Sequence, residues 1–518
     1  MLRVWRARAV LVCPLLLLLL PAARSSDSRE ALQRAASLVQ QGRLEEADRE
    51  VQPALSDPQT RAAACSVLGT IRFQQQRIEE GVRLLQEAIK LEPRLIGAHL
   101  TLAQAYLLQG KPDRAMPLLQ HVLELDPSNA IARMGLVRAQ SEKGNYEQAL
   151  KSAQPVLAEL KESPDGLILL ATVCGKTHNR AALAGLADDW SRFSGVPTEW
   201  SIKFALQLAQ GGAVPQAIDI LERTKKAMAP SFELDFNLAG SYLLAKDSEH
   251  ALENYDLALG LQPESLLTLK QAAAVAEGQN ELERALSYWI RAMKLDPDAP
   301  DTLLGFGRVC LMMDLLEDAE PALTKAAALR PNERAYQYTL AAAKVGKRQF
   351  EAAQTIMEGL VRQKPHDAQL EYALGSVLYL QGHLAEAAEH LQESIRLQPD
   401  QLAPYYYLAL VSRDQGDDAD AINKLESLLR RYPDHASSCE VLGGLLMSAH
   451  RYPEAKSNLE KAVRLNPKSV KANYQLGLLL TRMGKKEEAD KRLAIAKSLR
   501  TEDEANSRLQ LRLLDPDQ

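Results

Sequence analysis

Proline recurs along this chain at a fixed interval of 34 residues, at Pro93 and Pro127 and then at Pro263, Pro297, Pro331, Pro365, Pro399, Pro433 and Pro467. The two series share one phase, because Pro93 and Pro263 lie 170 residues apart, five whole periods. Proline lacks the N–H that continues a helix and disfavours α geometry in the residue before it. Spaced this way, it cuts the chain into equal units too short to hold a core of their own. Each unit must then be one supersecondary piece that buries its apolar face against its neighbours.

Counting from Ser28 as position 1 puts proline at position 32. Position 20 is then alanine in twelve of fourteen units, from Ala47 and Ala115 through Ala387 to Ala489, with Gly81 and Leu183 the exceptions. Position 8 is Gly or Ala in thirteen, with Val137 the exception. Small residues at fixed places let two helices approach closely. Each unit therefore reads as helix A over positions 1 to 14 and helix B over positions 15 to 28. Aromatics are only 5% of a chain that is 46% hydrophobic and 25% charged, which suits helices packed on helices.

Repeat seven shows the set most fully, with Ala239, Tyr242, Ala251, Tyr255, Ala258 and Pro263, and repeat eight follows with Ala273, Ala285, Trp289, Ala292 and Pro297. These residues resemble the tetratricopeptide repeat, over some nine-tenths of the chain. The resemblance implies an all-α, right-handed α-solenoid of fourteen 34-residue helix-turn-helix repeats over 28–503. Repeats one to four would occupy 28–163 and repeats six to fourteen 198–503. Between them, 164–197 keeps the length but loses the pattern, with Leu183 at position 20 and glycines at 175, 185 and 195, so looser helices are expected there as sequence drift, with a bend or hinge as the alternative. After repeat fourteen, Thr501 and Glu504 have the spacing of a capping box, and 502–514, with Leu509, Leu511, Leu513 and Leu514, is expected to form a separate C-terminal capping helix.

Residues 1–25 have arginines up to Arg8, an apolar stretch from Ala9 to Leu20, and small residues around Ala23 and Ser25. That is the pattern of an export signal cleaved after Ala23 or Ser25, and the apolar stretch is shorter than the roughly 20 residues that span a bilayer. The expectation is an exported protein, periplasmic or extracellular. The alternative keeps 1–25 as a membrane anchor, the only membrane contact foreseen, and leaves a cytoplasm-facing adaptor. Net charge is −5, and the four arginines of the first 25 residues face no acid, so the remainder carries −9. With no basic stripe, no nucleic-acid partner is expected.

Gly175-Lys176-Thr177 lacks the upstream glycine and strand of a phosphate loop, and His383 and His390 have no H-E-x-x-H around them. Cys65, Cys174, Cys310 and Cys439 stand far apart at helix A packing positions, where they serve as small hydrophobes. No cofactor, metal or catalytic residue is expected; an enzyme with an undetected site is the weakest alternative. Positions 2, 5, 9 and 12 form one stripe on helix A, which in the repeat family lines a concave groove. Here the stripe carries Tyr338, Tyr372, Tyr406 and Tyr474 at position 5, with Tyr379 and Arg413 at position 12. Tyrosine offers large contact area and a hydroxyl at small entropic cost. These six residues are the candidate site for protein or peptide partners, and Tyr405 and Tyr407 are assigned to another face. The resemblance extends to a non-catalytic scaffold of the kind found in bacterial envelope or polysaccharide assembly.

Overall fold

A computed structural model describes residues 26–505, so the expected signal over 1–25 and most of the expected cap over 502–514 lie outside the described residues. Every described element is a helix. Two compact units divide between Leu261 and Gln262, and each is a row of helical hairpins in chain order. Repeat eleven is representative, with helix A Ala368–Gln381 and helix B Leu384–Leu397.

Helix A runs close to positions 1 to 13, but helix B occupies positions 17 to 30 in most repeats, two residues later than expected from sequence. The reason is the turn between them. Position 15 has positive φ in every repeat: glycine at Gly42, Gly110, Gly144, Gly212, Gly382, Gly416 and Gly484, and other residues at Gln76, His178, Lys246, Asn280, Asp314, Arg348 and His450. The backbone N–H of position 16 then reaches back to the carbonyl of position 11, as in Arg77 to Arg72 at 2.8 Å and Asp247 to Tyr242 at 2.9 Å, closing the helix with a left-handed cap. At the far end, the residue before proline is extended, as at Glu92 (φ −136°, ψ 90°), so helix B continues to position 30 before the chain turns.

A side chain at positive φ costs roughly 1 kcal/mol that glycine avoids, less for Asn and Asp. Lys246→Gly and Arg348→Gly are each expected to stabilise the chain by about 0.5–1 kcal/mol, read as a raised denaturant midpoint. A lowered midpoint in both would contradict the cap.

Alanine at position 20 is buried completely or nearly so in all twelve repeats that carry it. Position 8 faces position 24 of its own hairpin: a Cβ on Gly375 would stand 2.9 Å from Leu391 Cγ, and one on Gly307 only 2.5 Å from Leu323 Cγ. Where position 20 departs from alanine, a neighbour makes up the volume. Phe73 lies 3.0 Å from where a Cβ on Gly81 would be, and Leu183 fits because its Cδ1 occupies the space a side chain on Gly211 would need, 2.4 Å from that Cβ.

Repeat five is not loose, contrary to expectation. Helix A, Pro164–Lys176, is full length, and helix B is short, Arg180–Trp190. Trp190 sits at position 27, where seven of the fourteen repeats have alanine, and stacks on Phe204 of repeat six, centroids 4.2 Å apart and planes within 8°. Leu167, Leu170, Leu183 and Leu186 are all buried in one core with Leu208 and Leu221 of repeat six. Lost alanines are replaced by a large aromatic contact, and the division between units falls two repeats later. The irregular element is helix B of repeat four, broken into Tyr146–Ala153, a 3-10 turn Gln154–Val156 that contains Pro155, and Leu157–Lys161, whereas Pro53 at the same position of repeat one lies in a continuous helix. Another expectation is corrected at the C-terminus. Helix B of repeat fourteen, Lys486–Ala505, passes through Thr501 without a turn, since no proline stands there to stop it.

Candidate protein-interaction face

The six stripe residues belong to repeats ten, eleven, twelve and fourteen, whose A helices are Arg334–Gly346, Ala368–Gln381, Leu402–Asp414 and Val470–Arg482. They do not all reach the surface. Tyr338 is 8% exposed and Tyr372 1%, both inside a core that includes Ala342, Val345, Leu370 and Val377. This corrects the sequence expectation for these two residues. Position 5 of one repeat is covered by helix A of the next, and Tyr372 meets the edge of Tyr407 from repeat twelve with ring centroids 5.8 Å apart. Burial pushes the Tyr338 hydroxyl up to about 12 and that of Tyr372 higher still, so both stay protonated.

The other four keep part of their surface. Tyr379 and Tyr406 are half-buried, Arg413 has 30% of its side chain exposed, and Tyr474 is 51% exposed because no further helix A follows it among the described residues. Tyr407, which the sequence assigned to another face, is the hub: its ring meets Tyr379 at 5.5 Å, Tyr406 at 5.9 Å and Tyr372, each edge to face. His435 closes the far side against Tyr406 at 5.2 Å. Each such pair adds about 0.5–1.5 kcal/mol beyond burial, so the rings are held in place before any partner arrives.

The polar edge is equally fixed. Tyr379 Oη donates to Asp414 Oδ2 at 2.7 Å, Arg413 Nε donates to Asp414 Oδ1 at 2.7 Å, and Arg413 Nη2 donates to Tyr379 Oη at 3.2 Å. The guanidinium hydrogen bond holds the Asp414 carboxyl below its ordinary range, and burial followed by the Asp414 contact pushes the Tyr379 hydroxyl well up. Arg413 is thus neutralised and oriented, with outer N–H groups left for a partner carbonyl or carboxylate. Glu440, at position 5 of repeat thirteen between Tyr406 and Tyr474 in the series, accepts from Ser469 Oγ at 2.7 Å and pairs with Lys471 at 3.3 Å. Sequence reasoning missed Asp414 and Glu440; their adjacency to Arg413 and their place in the stripe were the available signals.

The four cysteines among the described residues are buried free thiols, and burial pushes Cys310 up to about 12. His383 is exposed while His390 is half-buried, its Nδ1 2.6 Å from Glu371 Oε2. Gly175-Lys176-Thr177 closes a helix rather than opening one. Among the described residues no three His, Cys, Asp or Glu side chains gather as metal ligands would, and no helix is long and apolar enough to cross a membrane.

Three family models, each described as a tetratricopeptide repeat, match residues 72–120, 107–173 and 446–513, residues 338–402, and residues 405–435, together about half of the chain. The chain belongs to the tetratricopeptide repeat family. Its members generally bind protein or peptide partners as scaffolds, and that coarse role holds for this tetratricopeptide repeat chain. No curated protein sequence matches it.

Among solved structures it is similar to the Cut9–Hcn1 hetero-tetramer of the APC/C (14% identity, 88% of this chain and 97% of that one, TM-score 0.39). It is also similar to yeast Tom70 (15%, 87% and 98%, TM-score 0.36) and to MamA of Desulfovibrio magneticus RS-1 (19%, 32% and 94%, TM-score 0.29). Identities of this order say nothing of what is bound.

Proposed function

We propose that this tetratricopeptide repeat protein is an exported, non-catalytic scaffold that holds a protein or peptide on the aromatic face of repeats eleven to fourteen. The supporting observation is the pre-set cluster in which Tyr379 and Tyr406 lock edge to face on Tyr407 while Arg413 is oriented by Asp414. Rigid aromatics beside an oriented guanidinium are the side chains that dominate interface energetics, because little entropy is lost when they are covered. Tyr474 extends the face by one repeat beyond Glu440. Export rests on the composition of residues 1–25, and a role in envelope or polysaccharide assembly is the finer form of the same reading.

Crosslinking followed by affinity capture with the full chain is expected to place partner crosslinks on this face. Replacing Tyr406, Arg413 and Tyr474 together by Ala is expected to weaken capture at least tenfold while helicity by circular dichroism stays unchanged, since none of the three is fully buried. Capture that survives the triple change sends the binding surface elsewhere. The mature N-terminus checks export separately: cleavage after Ala23 or Ser25 supports it, and an intact N-terminus favours the anchored, cytoplasm-facing adaptor.

A further inference from the structure

Repeats three and seven have tyrosine at position 11, and both hold it in the same way. Tyr106 accepts a hydrogen bond from Gln86 Nε2 at 3.2 Å, with the Arg114 guanidinium over its ring at 5.7 Å. Tyr242 donates to Glu222 Oε1 at 3.0 Å and stacks on His250, centroids 5.1 Å apart. In each case the hydroxyl partner is position 25 of the preceding repeat and the ring partner is position 19 of the tyrosine's own repeat.

Repeat thirteen, with helices Ala436–Ser448 and Tyr452–Leu465, lacks the tyrosine. Its position 11 is Leu446, and the residues equivalent to Glu222 and His250 are Glu426 and Glu454. There the structure has an open cleft of about 320 Å³ lined by Glu426, Arg430, Leu442, Leu446, Glu454 and Asn458. Leu442 and Leu446 are buried and form an apolar floor. Arg451 pairs with Glu454 at 2.5 Å and with Glu426 at 3.4 Å, so the two carboxylates are held in place while one guanidinium offsets one of their two charges. The cleft lies where repeats three and seven place a phenol ring, with the hydroxyl acceptor still present.

We propose that this cleft receives a tyrosine side chain from a peptide partner, its ring on Leu442 and Leu446 and its hydroxyl donating to Glu426 as Tyr242 donates to Glu222. Positions 7 and 11 lie roughly 130° around helix A from positions 5 and 12, so this subsite is on a different side from the Tyr406–Arg413 face and does not depend on it. Two wet rims around an apolar floor suit an amphipathic ring better than an aliphatic side chain.

Titrations of the full chain with N-acetyl-tyrosinamide, N-acetyl-leucinamide and N-acetyl-argininamide, followed by saturation-transfer NMR, test the assignment. The tyrosine probe is expected to bind saturably in the millimolar range and more tightly than the other two. Leu446→Tyr, which fills the cleft from within, is expected to abolish binding, and Glu426→Ala, a surface change that leaves the floor intact, to weaken it at least threefold. Tyr406→Ala is expected to leave it unchanged. Absence of saturable tyrosine binding, equal binding in the Glu426→Ala variant, or preference for the arginine probe on the paired carboxylates overturns the proposal.

Discussion

Gly166→Ala is expected to destabilise the first compact unit by about 3 kcal/mol or more, a large effect for one methyl group. A Cβ on Gly166 would stand 2.0 Å from the Leu160 carbonyl oxygen and within 3.0 Å of the Leu160 carbonyl carbon and Cα. These are backbone atoms, so no side-chain rotation relieves the clash. They are there because helix B of repeat four is interrupted at Gln154–Val156, and the short segment Leu157–Lys161 brings Leu160 against the start of repeat five. Gly185→Ala in the helix Arg180–Trp190 is the control. Nothing lies within 4 Å of its Cβ, so the higher helix propensity of alanine should add about 1 kcal/mol instead. Denaturant unfolding of both variants decides the matter: coincident curves would mean that repeats four and five do not meet in this way.

Replacing Ala387 by Trp is expected to be of similar size, at least about 3 kcal/mol, because position 20 is fully buried and its surroundings are already close. A Cβ on the facing Gly375 would lie only 3.2 Å from the Ala387 carbonyl oxygen and 2.9 Å from Leu391 Cγ, so the hairpin of repeat eleven has no room for an indole. Tyr372, Leu374 and Leu391 share that core, so splaying the hairpin would also loosen the support of the aromatic face. An unchanged melting temperature would place position 20 away from the interface. Leu183 shows what a larger residue needs there: a glycine, Gly211, in the next repeat.

Much of this architecture was legible because it depends on residue volume at fixed spacing. Twelve alanines at one phase and prolines at another leave little choice of register. Helix B was misplaced by two residues because its start depends on a backbone conformation at position 15 that seven glycines signal and seven other residues conceal. The candidate face was legible only in part. Helical spacing puts Tyr338, Tyr372, Tyr406 and Tyr474 in one line, but whether a ring is covered depends on what the next repeat presents, and that is long-range information. Tyr407 covers Tyr372, whereas Tyr474 has no such neighbour among the described residues. Tyr407 itself was misassigned because position 6 lies just off the stripe that defines the face.

The left-handed turns also bear on how the chain would respond to a pull on its ends. Lys246, Asn280, Asp314 and Arg348 place four successive turns of the side-chain type in the middle of the chain, whereas Gly382 and Gly416 give repeats eleven and twelve unstrained ones. Under load, the pre-strained corners have less to lose on straightening, so hairpins in the middle of the sequence would yield first and pay out length. The cluster of Tyr379, Tyr406, Tyr407 and Arg413, built on the glycine-cornered repeats eleven and twelve, would keep its shape while the chain beside it lengthened.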